Sequence, residues 1–314
     1  MSSTTENSVS FPSPSIIGDA SPRDYFALLK PRVMSLVVWT ALAGVLCAPT
    51  PVHPVVGFAA LLAIAVGAGA AGALNMWWDA DIDALMARTR LRPVPDGRIE
   101  PGEARAFGLT LALLAVLTLA VTTNLLAAGL LAFTIFFYVV IYTMWLKRLT
   151  PLNIVIGGAA GALPPVVGYA AASGGVGLDI LSLFAVILFW TPPHFWALAL
   201  VKSGDYARAG VPMLPTVKGA ARTRTEILVY SLILAPLGLT PWLTGLGGLF
   251  YAVAATIAGV GMVVMALRLY RIREGAGANR AAMQMFGFSI VYLFTLVAVL
   301  IAERGLAAIA HGIG

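Results

Sequence analysis

Three aspartates lie close together in a chain that has few acidic residues. Asp79, Asp81 and Asp83 fall within five positions, although the 314-residue sequence has only 14 aspartates and glutamates. Asn75 precedes Asp79 by four residues and Asp83 follows it by four, so a helix carries these three side chains on one face. Oxygen ligands on one face suit Mg²⁺, which commonly shares one or two carboxylates with substrate phosphates. We predict Asp79 and Asp83 as metal ligands and catalytic residues, and Asn75 as a substrate-binding residue.

Arginines follow the aspartates directly, at Arg88, Arg90 and Arg92. A guanidinium can donate two parallel hydrogen bonds to a phosphate. We predict Arg88 and Arg92 as substrate-binding residues, although a basic loop can also serve only to orient a membrane protein. Asp81 points away from the shared face and is expected to be solvated or paired with a nearby arginine. The alternative for the whole stretch is a solvated helix end with ordinary loop charges.

A second polar stretch runs from residue 202 to residue 212. Here Asp205 is predicted to complete the metal site with the first two carboxylates, and Lys202 is predicted to neutralise a diphosphate as a catalytic residue. Tyr206 is a predicted substrate-binding residue. His194 lies eleven residues before Asp205, or three helical turns, so the two share a face if the helix continues that far. A histidine inside the membrane is a candidate for substrate binding, but it can also be only a packed, hydrogen-bonded residue.

A third polar stretch lies between two apolar runs and adds cations to the same membrane face. Its predicted substrate-binding residues are Tyr142, Lys147, Arg148 and Asn153. The small residues of 157–165 follow, and they predict close packing between helices. A nucleotide-binding role for these glycines is disfavoured because no strand precedes them.

The composition indicates an integral membrane protein. The chain is 60% hydrophobic and 11% charged, whereas roughly a quarter of the residues of a soluble domain are charged. Long apolar runs without polar alternation exclude a membrane barrel and predict an all-α bundle. The net charge of +6 does not indicate nucleic-acid binding, since the basic residues have no interleaved aromatic surface for stacking bases. The single cysteine, Cys47, excludes a disulfide framework and is predicted to be a small core residue.

Nine apolar segments are long enough to cross a bilayer core of about 30 Å. We predict spans at residues 33–49, 55–77, 106–123, 125–145, 153–172, 179–201, 225–243, 247–268 and 284–302. If alternate connections are assigned to the side of the N-terminus, that side holds 19 of the 20 basic residues, and only Arg304 lies opposite. The positive-inside rule then predicts a cytoplasmic N-terminus and an active site that faces the cytoplasm.

The N-terminal segment is predicted to be separate from the membrane domain. Residues 1–22 are rich in Ser and Pro and are expected to be a disordered leader, while residues 23–314 form a single polytopic transmembrane domain. The leader contains Glu6 and Asp19 but no Lys or Arg, which argues against a mitochondrial transit peptide. A bacterial inner-membrane location is favoured. The segment 24–32 is expected to be a short interfacial helix that leads into the first span.

The spacing Asn75-x3-Asp79-x3-Asp83 at the end of the second span resembles the first aspartate-rich motif of the UbiA superfamily of intramembrane prenyltransferases. The fuller string through Pro93 is similar to the branch that farnesylates haem. Further stretches that match this branch are Tyr142–Gly158, Pro192–Trp196 and Lys202–Pro215, and the resemblance covers about residues 24–300.

The resemblance implies nine helices around a central cavity, Mg²⁺ as cofactor, and farnesyl diphosphate and haem B as substrates. The implied reaction at a haem vinyl group, with water capture, gives haem O for haem–copper oxidases. Contact with a haem A synthase or with oxidase assembly proteins is also implied. The sequence departs from the superfamily in one respect: Ala209, and not a second acidic residue, lies four positions after Asp205.

Two other functions are compatible with parts of the pattern. One is a prenyltransferase of the same superfamily with a hydroxybenzoate, quinone or chlorophyll-type acceptor. The other is a transporter, whose ionisable groups would line a path near the membrane midplane. The charged residues here gather at one predicted surface, which disfavours transport.

Overall fold

The computed structural model describes residues 20–310, with side chains through residue 306. In chain order the helices are α1 (Pro22–Leu28), α2 (Pro31–Cys47), α3 (Pro54–Trp78), α4 (Ala80–Leu85), α5 (Pro101–Thr122), α6 (Leu125–Phe136), a π-helix (Phe137–Leu146), α7 (Lys147–Leu149), α8 (Asn153–Ala162), α9 (Pro164–Ser173), α10 (Leu178–Val201), α11 (Ser203–Arg208), α12 (Leu214–Leu237), α13 (Thr240–Leu243), α14 (Leu249–Arg271) and α15 (Gly275–Ala310). No strand occurs in these residues. The disordered leader was predicted over residues 1–22. Residues 1–19 of it lie outside the described chain, and its last residue, Pro22, begins α1.

The helices confirm the all-α, multi-pass architecture. Eight helical segments in the described chain are long and apolar enough to cross a membrane, and α1 with α2 makes a ninth if this bent pair counts as one span. Three spans are composite: α6 with the π-helix and α7, α8 with α9, and α12 with α13. The cytoplasmic location of the N-terminus stays a prediction.

The first span is bent by 52° between α1 and α2. Lys30 lies at the bend with φ 53° and ψ 60°, and it is the one non-glycine residue with positive φ in residues 20–310. Pro31 begins α2, and proline disfavours helical geometry in the residue before it. A left-handed lysine costs on the order of 1–3 kcal/mol and persists only where surrounding contacts hold it. Here those contacts are with α3, as described below.

Small residues let the helices approach closely, as the sequence predicts for the run after Asn153. A Cβ on Gly157 would lie 2.2 Å from the Tyr142 ring, so the tyrosine packs directly on the backbone of α8. Gly158 has a similar contact with α10. An equally close approach joins α2 and α9, where a Cβ on Gly44 would lie 1.9 Å from the carbonyl oxygen of Pro165. The Gly157 contact fixes the π-helix relative to α8, and the other two contacts fix α8 relative to α10 and α2 relative to α9.

The buried apolar residues form two large clusters and two smaller ones. One large cluster joins α3, α5, α6 and α9, and the other joins α10, α12, α14 and α15. One smaller cluster lies where the polar connections meet. It contains Ile82 and Met86 from the first connection and Val211 and Met213 from the second. The two longest polar loops are therefore packed against each other.

Candidate active site

The aspartate-rich segment keeps its helical spacing although α3 ends just before it. Asp79 has φ −88° and ψ 10° and joins α3 to α4. Its backbone N–H donates to the carbonyl of Asn75 at 2.9 Å, and that of Asp83 donates to the carbonyl of Asp79 at 2.8 Å. The i, i+4 ladder therefore continues through the junction. Asn75, Asp79 and Asp83 are all buried.

Asp79 is a fully buried carboxylate, with 0% exposure. Its Oδ2 accepts a hydrogen bond from Asn75 Nδ2 at 2.7 Å and another from the ammonium of Lys147. Oδ1 lies 3.6 Å from a guanidinium nitrogen of Arg148 and has no hydrogen-bond partner. A buried carboxylate is tolerated only when it is paired, and Lys147 provides that partner. The unpartnered oxygen has a free lone pair for a further ligand.

Asp83 is held in a similar way by the arginine loop. Its side chain is nearly fully buried, and its Oδ2 accepts from Arg92 Nη1 at 2.6 Å. The hydroxyl of Thr89 donates to the Asp83 backbone carbonyl at 2.9 Å. Of the arginines predicted to bind phosphate, Arg92 thus contacts the aspartate pair directly.

Asp81 is exposed and points away from the other two aspartates, as the spacing predicts. Arg148 donates to both of its oxygens at 2.7 Å, and a further bond runs to the Trp78 carbonyl at 3.1 Å. The hydrogen bonds from Arg148 hold the pKa of Asp81 below its usual value. Asp81 therefore positions Arg148 beside Asp79.

Asn75 connects two residues that the sequence analysis did not place in the site. Its Oδ1 accepts from the Lys30 ammonium, and its Nδ2 donates to Thr143 Oγ1 at 3.0 Å as well as to Asp79. Lys30 stands at the bend before α2, and Thr143 is fully buried in the π-helix. The available signals were weak: a lysine directly before the Pro31 helix start, and a threonine beside Tyr142.

The π-helix carries the aromatic wall of the site. The rings of Tyr138 and Tyr142 pack at a tilt of 35°, with 5.5 Å between centroids, and Tyr142 also contacts the cluster that joins the polar loops. Helical segments of this type are rare and often mark functional sites. Lys147 follows directly at the end of the segment. Asn153 is fully buried at the start of α8, and its Oδ1 lacks a hydrogen-bond partner.

The second polar stretch does not continue α10, so the condition for a shared face of His194 and Asp205, an unbroken helix, is not met. Helix α10 ends at Val201, and Lys202 has φ −104° and ψ 15° before the six-residue α11 begins. Asp205 lies in α11 and pairs with Arg208, three residues on. Lys202 is exposed.

The predicted grouping of Asp79, Asp83 and Asp205 is not formed. Within the described chain, no three His, Cys, Asp or Glu side chains lie close enough to hold a metal ion together. The loops themselves do meet, because Tyr206 lies beside Arg88. Burial raises the pKa of Tyr206, and the positive charge of Arg88 opposes that shift.

Asp79 and Asp83 are the residues that fit a divalent cation. They present two buried carboxylates one helical turn apart, and one oxygen of Asp79 has no partner. Mg²⁺ keeps several waters and takes substrate phosphates as ligands, so two carboxylates suffice. The surrounding cations Lys147, Arg92 and Lys30 could then contact an anion on the metal.

His194 lies in a different part of the interior, between α10 and α15. It is 9% exposed, and its Nδ1 is 2.7 Å from Ser289 Oγ. Its ring stacks against Trp190 at 4.4 Å and Phe286 at 4.6 Å. The structure brings His194 to neither of the acidic segments by a direct contact.

Comparisons of the sequence with a family model and with known proteins point to the same family of prenyltransferases. The sequence pattern of the UbiA prenyltransferase family matches residues 37–290. A protoheme IX farnesyltransferase of Beijerinckia indica is 66% identical over 92% of this chain and 90% of its own length. One from Methylocella silvestris is 64% identical over 93% of this chain and 92% of its own length.

Solved structures share the fold at low identity. A structure of digeranylgeranylglyceryl phosphate synthase superposes with a TM-score of 0.73 at 15% identity, covering 89% of this chain and 98% of that one. A UbiA homologue from Archaeoglobus fulgidus bound to GPP and Mg²⁺ has a TM-score of 0.66 at 16% identity, covering 89% and 99%. At this identity the likeness shows the fold alone.

Proposed function

This chain belongs to the UbiA prenyltransferase family, and on that premise we propose that it transfers the farnesyl group of farnesyl diphosphate to a vinyl group of haem B. The product is haem O. We place the enzyme in the bacterial inner membrane with its diphosphate site facing the cytoplasm. Contact with a haem A synthase or with an oxidase assembly protein stays a prediction.

One observation carries the proposal: the buried pair Asp79 and Asp83, each matched by a cation from a different part of the chain. Lys147 reaches Asp79 from the end of the π-helix, and Arg92 reaches Asp83 from the arginine loop. This supports binding of a metal–diphosphate complex, because carboxylates hold the metal and the cations contact phosphate. The haem acceptor is supported by two relatives, both protoheme IX farnesyltransferases, at 66% and 64% identity.

The leaving group must be neutralised before the allylic C–O bond can break. Bound Mg²⁺ supplies Lewis-acid stabilisation to the departing diphosphate. Lys147 and Arg92 exchange their carboxylate contacts for phosphate oxygens, and Lys30 adds a third cation close to Asn75. Preorganised cations of this kind stabilise charge that develops only in the transition state.

The allylic cation must react with the vinyl group before it reacts with water. The electron pair of the C–O bond leaves with diphosphate, and the vinyl π electrons form the new C–C bond. A water molecule then adds to the resulting cation and loses a proton. Tyr138 and Tyr142 pack against each other next to the buried Thr143, and their π faces can stabilise a passing positive charge. The tight packing of Tyr142 on Gly157 limits water access.

The test is a product assay with purified protein in detergent, supplied with farnesyl diphosphate, haem B and Mg²⁺. We expect a product with the mass of haem O that is lost with a chelator and regained with added Mg²⁺. Parallel reactions offer 4-hydroxybenzoate or a quinone precursor in place of haem. Prenylation of one of those rings without haem O would identify a different acceptor. Uptake into proteoliposomes without any prenyl transfer would indicate a transporter.

A further inference from the structure

His194 and Ser289 form a hydrogen bond whose direction is set by a third group. Ser289 Oγ lies 2.6 Å from the Phe286 carbonyl, one turn earlier in α15, and 2.7 Å from His194 Nδ1. A carbonyl can only accept, and a serine hydroxyl has a single proton. Because the hydroxyl donates that proton to the Phe286 carbonyl, Ser289 Oγ must accept a hydrogen bond from the Nδ1–H of His194. His194 is then the Nδ1–H tautomer, with a lone pair on Nε2.

The imidazole ring is fixed on all sides except the Nε2 edge. Trp190 and Phe286 stack on the ring with interplanar angles of 19° and 25°. Trp190 is itself anchored, since its Nε1–H donates to the Ser289 carbonyl at 2.7 Å. Within residues 20–306, Nε2 makes no hydrogen bond, and it is not fully buried. Ser289 thus holds both the ring and the tryptophan stacked on it.

The histidine lies inside α10, about two turns before the end that leads to the second polar stretch. It precedes the end of α10 at Val201 by seven residues, which is about 10 Å along the helix. Helix α15 also contacts α2, where Trp39 stacks on Phe294 at 5.1 Å. Helix α2 starts directly after Lys30, its N-cap residue, which contacts Asn75. Helix α2 therefore connects the histidine region with the aspartate pair.

We propose that Ser289 is a positioning residue that holds His194 in the Nδ1–H form and presents Nε2 as a ligand to the iron of the haem substrate. Metal-ligating histidines almost always donate their other ring N–H to a fixed acceptor, which sets the tautomer and the ring orientation. The serine hydroxyl provides that acceptor here. This inference rests on the proposed function, because it assigns the protein group that orients haem B.

The test uses the optical spectrum of ferric haem B bound to the purified full-length protein in detergent, without farnesyl diphosphate. Wild type is expected to show a histidine-ligated Soret band. His194→Ala loses that band, and added imidazole restores it to His194→Gly. Ser289→Ala binds haem about 10–100-fold more weakly, as is typical for loss of such a partner, and Ser289→Thr retains wild-type binding.

A matched control distinguishes positioning from general damage. Ser231 is also fully buried in a long helix and donates to a backbone carbonyl, that of Ile227 at 2.7 Å, but its hydroxyl has no histidine partner. Ser231→Ala is expected to leave the spectrum and the haem affinity unchanged. A Soret band and haem affinity that are identical in wild type, His194→Ala and Ser289→Ala would overturn the inference.

The two proposals fail in different ways. If all variants bind haem alike and wild type still makes haem O, only the role of His194 and Ser289 is wrong. If wild type neither binds haem B nor farnesylates it, the acceptor assignment is wrong as well. If the variants lose haem ligation while diphosphate release from farnesyl diphosphate is unchanged, the assignment to the acceptor side is supported.

Discussion

The two acidic segments of this protein differ in what holds them. Asp79 and Asp83 are buried and contact residues that are distant in sequence, such as Lys147, 68 residues away. Asp205 lies in a six-residue helix and pairs with Arg208, three residues on, where its side chain is 14% exposed. The carboxylates of the first segment are therefore held by residues from distant parts of the chain, whereas the carboxylate of the second segment is held by a residue of its own short helix.

This difference indicates separate roles. A carboxylate that many helices hold in place is preorganised for a metal, which gives the largest catalytic effects. Asp205 has only a local partner, Arg208, whose side chain is 61% exposed. Ion pairs that are open to solvent contribute roughly 0–1 kcal/mol, so Asp205 can change partner at little cost. We expect Asp205 to join the diphosphate complex only after substrate binds.

The largest effect is expected from the first segment. Asp79→Asn or Asp83→Asn should lower haem O formation by at least about 1000-fold, because the metal ligand is lost while the fold keeps an isosteric side chain. Steady-state rates measure haem O formation, and circular dichroism measures whether the fold is retained. Asp96→Asn is the matched control, since Asp96 is exposed and pairs with Arg98, outside the aspartate pair. Full activity of both first-segment variants would exclude their role in metal binding.

Removal of Lys147 should affect stability as well as rate. Lys147→Met leaves Asp79 buried without its cation, which costs about 3–5 kcal/mol. The double variant Asp79→Asn with Lys147→Met should recover most of the stability, measured by the thermal midpoint, but none of the activity. An equal loss of stability in the single and double variants would show that the pair is not coupled.

A smaller effect is expected from the second segment. Asp205→Asn should raise the KM for farnesyl diphosphate about tenfold, as expected for one charge-assisted contact, with stability unchanged. If Asp205→Asn instead abolishes kcat as Asp79→Asn does, the two segments are equivalent and the proposed difference is wrong.

The smallest effect is expected from the local partner of Asp205. Arg208→Gln removes the ion pair that holds Asp205 in the substrate-free form. We expect kcat and KM within about twofold of wild type, since exposed pairs contribute little. A loss as large as that of Asp205→Asn would show that Arg208 itself contacts the substrate.

The sequence predicted the parts of the site that depend on local periodicity. The shared face of Asn75, Asp79 and Asp83 and the separate direction of Asp81 both follow from helix geometry. The apolar runs likewise predicted the spanning segments, which number eight in the described chain, or nine if α1 and α2 count as one span. The end of α10 at Val201 was missed, although Lys202 and Gly204 are residue types that are common at the end of a helix, because the spacing from His194 to Asp205 suggested a continuous helix.

The remaining site residues depend on contacts that are remote in sequence. Lys30 reaches Asn75 across 45 residues, and Ser289 reaches His194 across 95. Neither pairing has a periodic signal, and a serine among apolar residues is easily taken for a buried hydroxyl bonded to its own helix. Only the packing of α15 on α10 brings the second pair together.

The ten-residue π-helix before Lys147 has a consequence for the comparison of distant relatives. A π turn closes over five residues where an α turn closes over four, so this segment holds extra length inside a span. A relative that lacks the extra residue can form a regular α-helix here and still present its lysine to the aspartates. Gaps in an alignment therefore belong within residues 137–146, and not in the neighbouring loops.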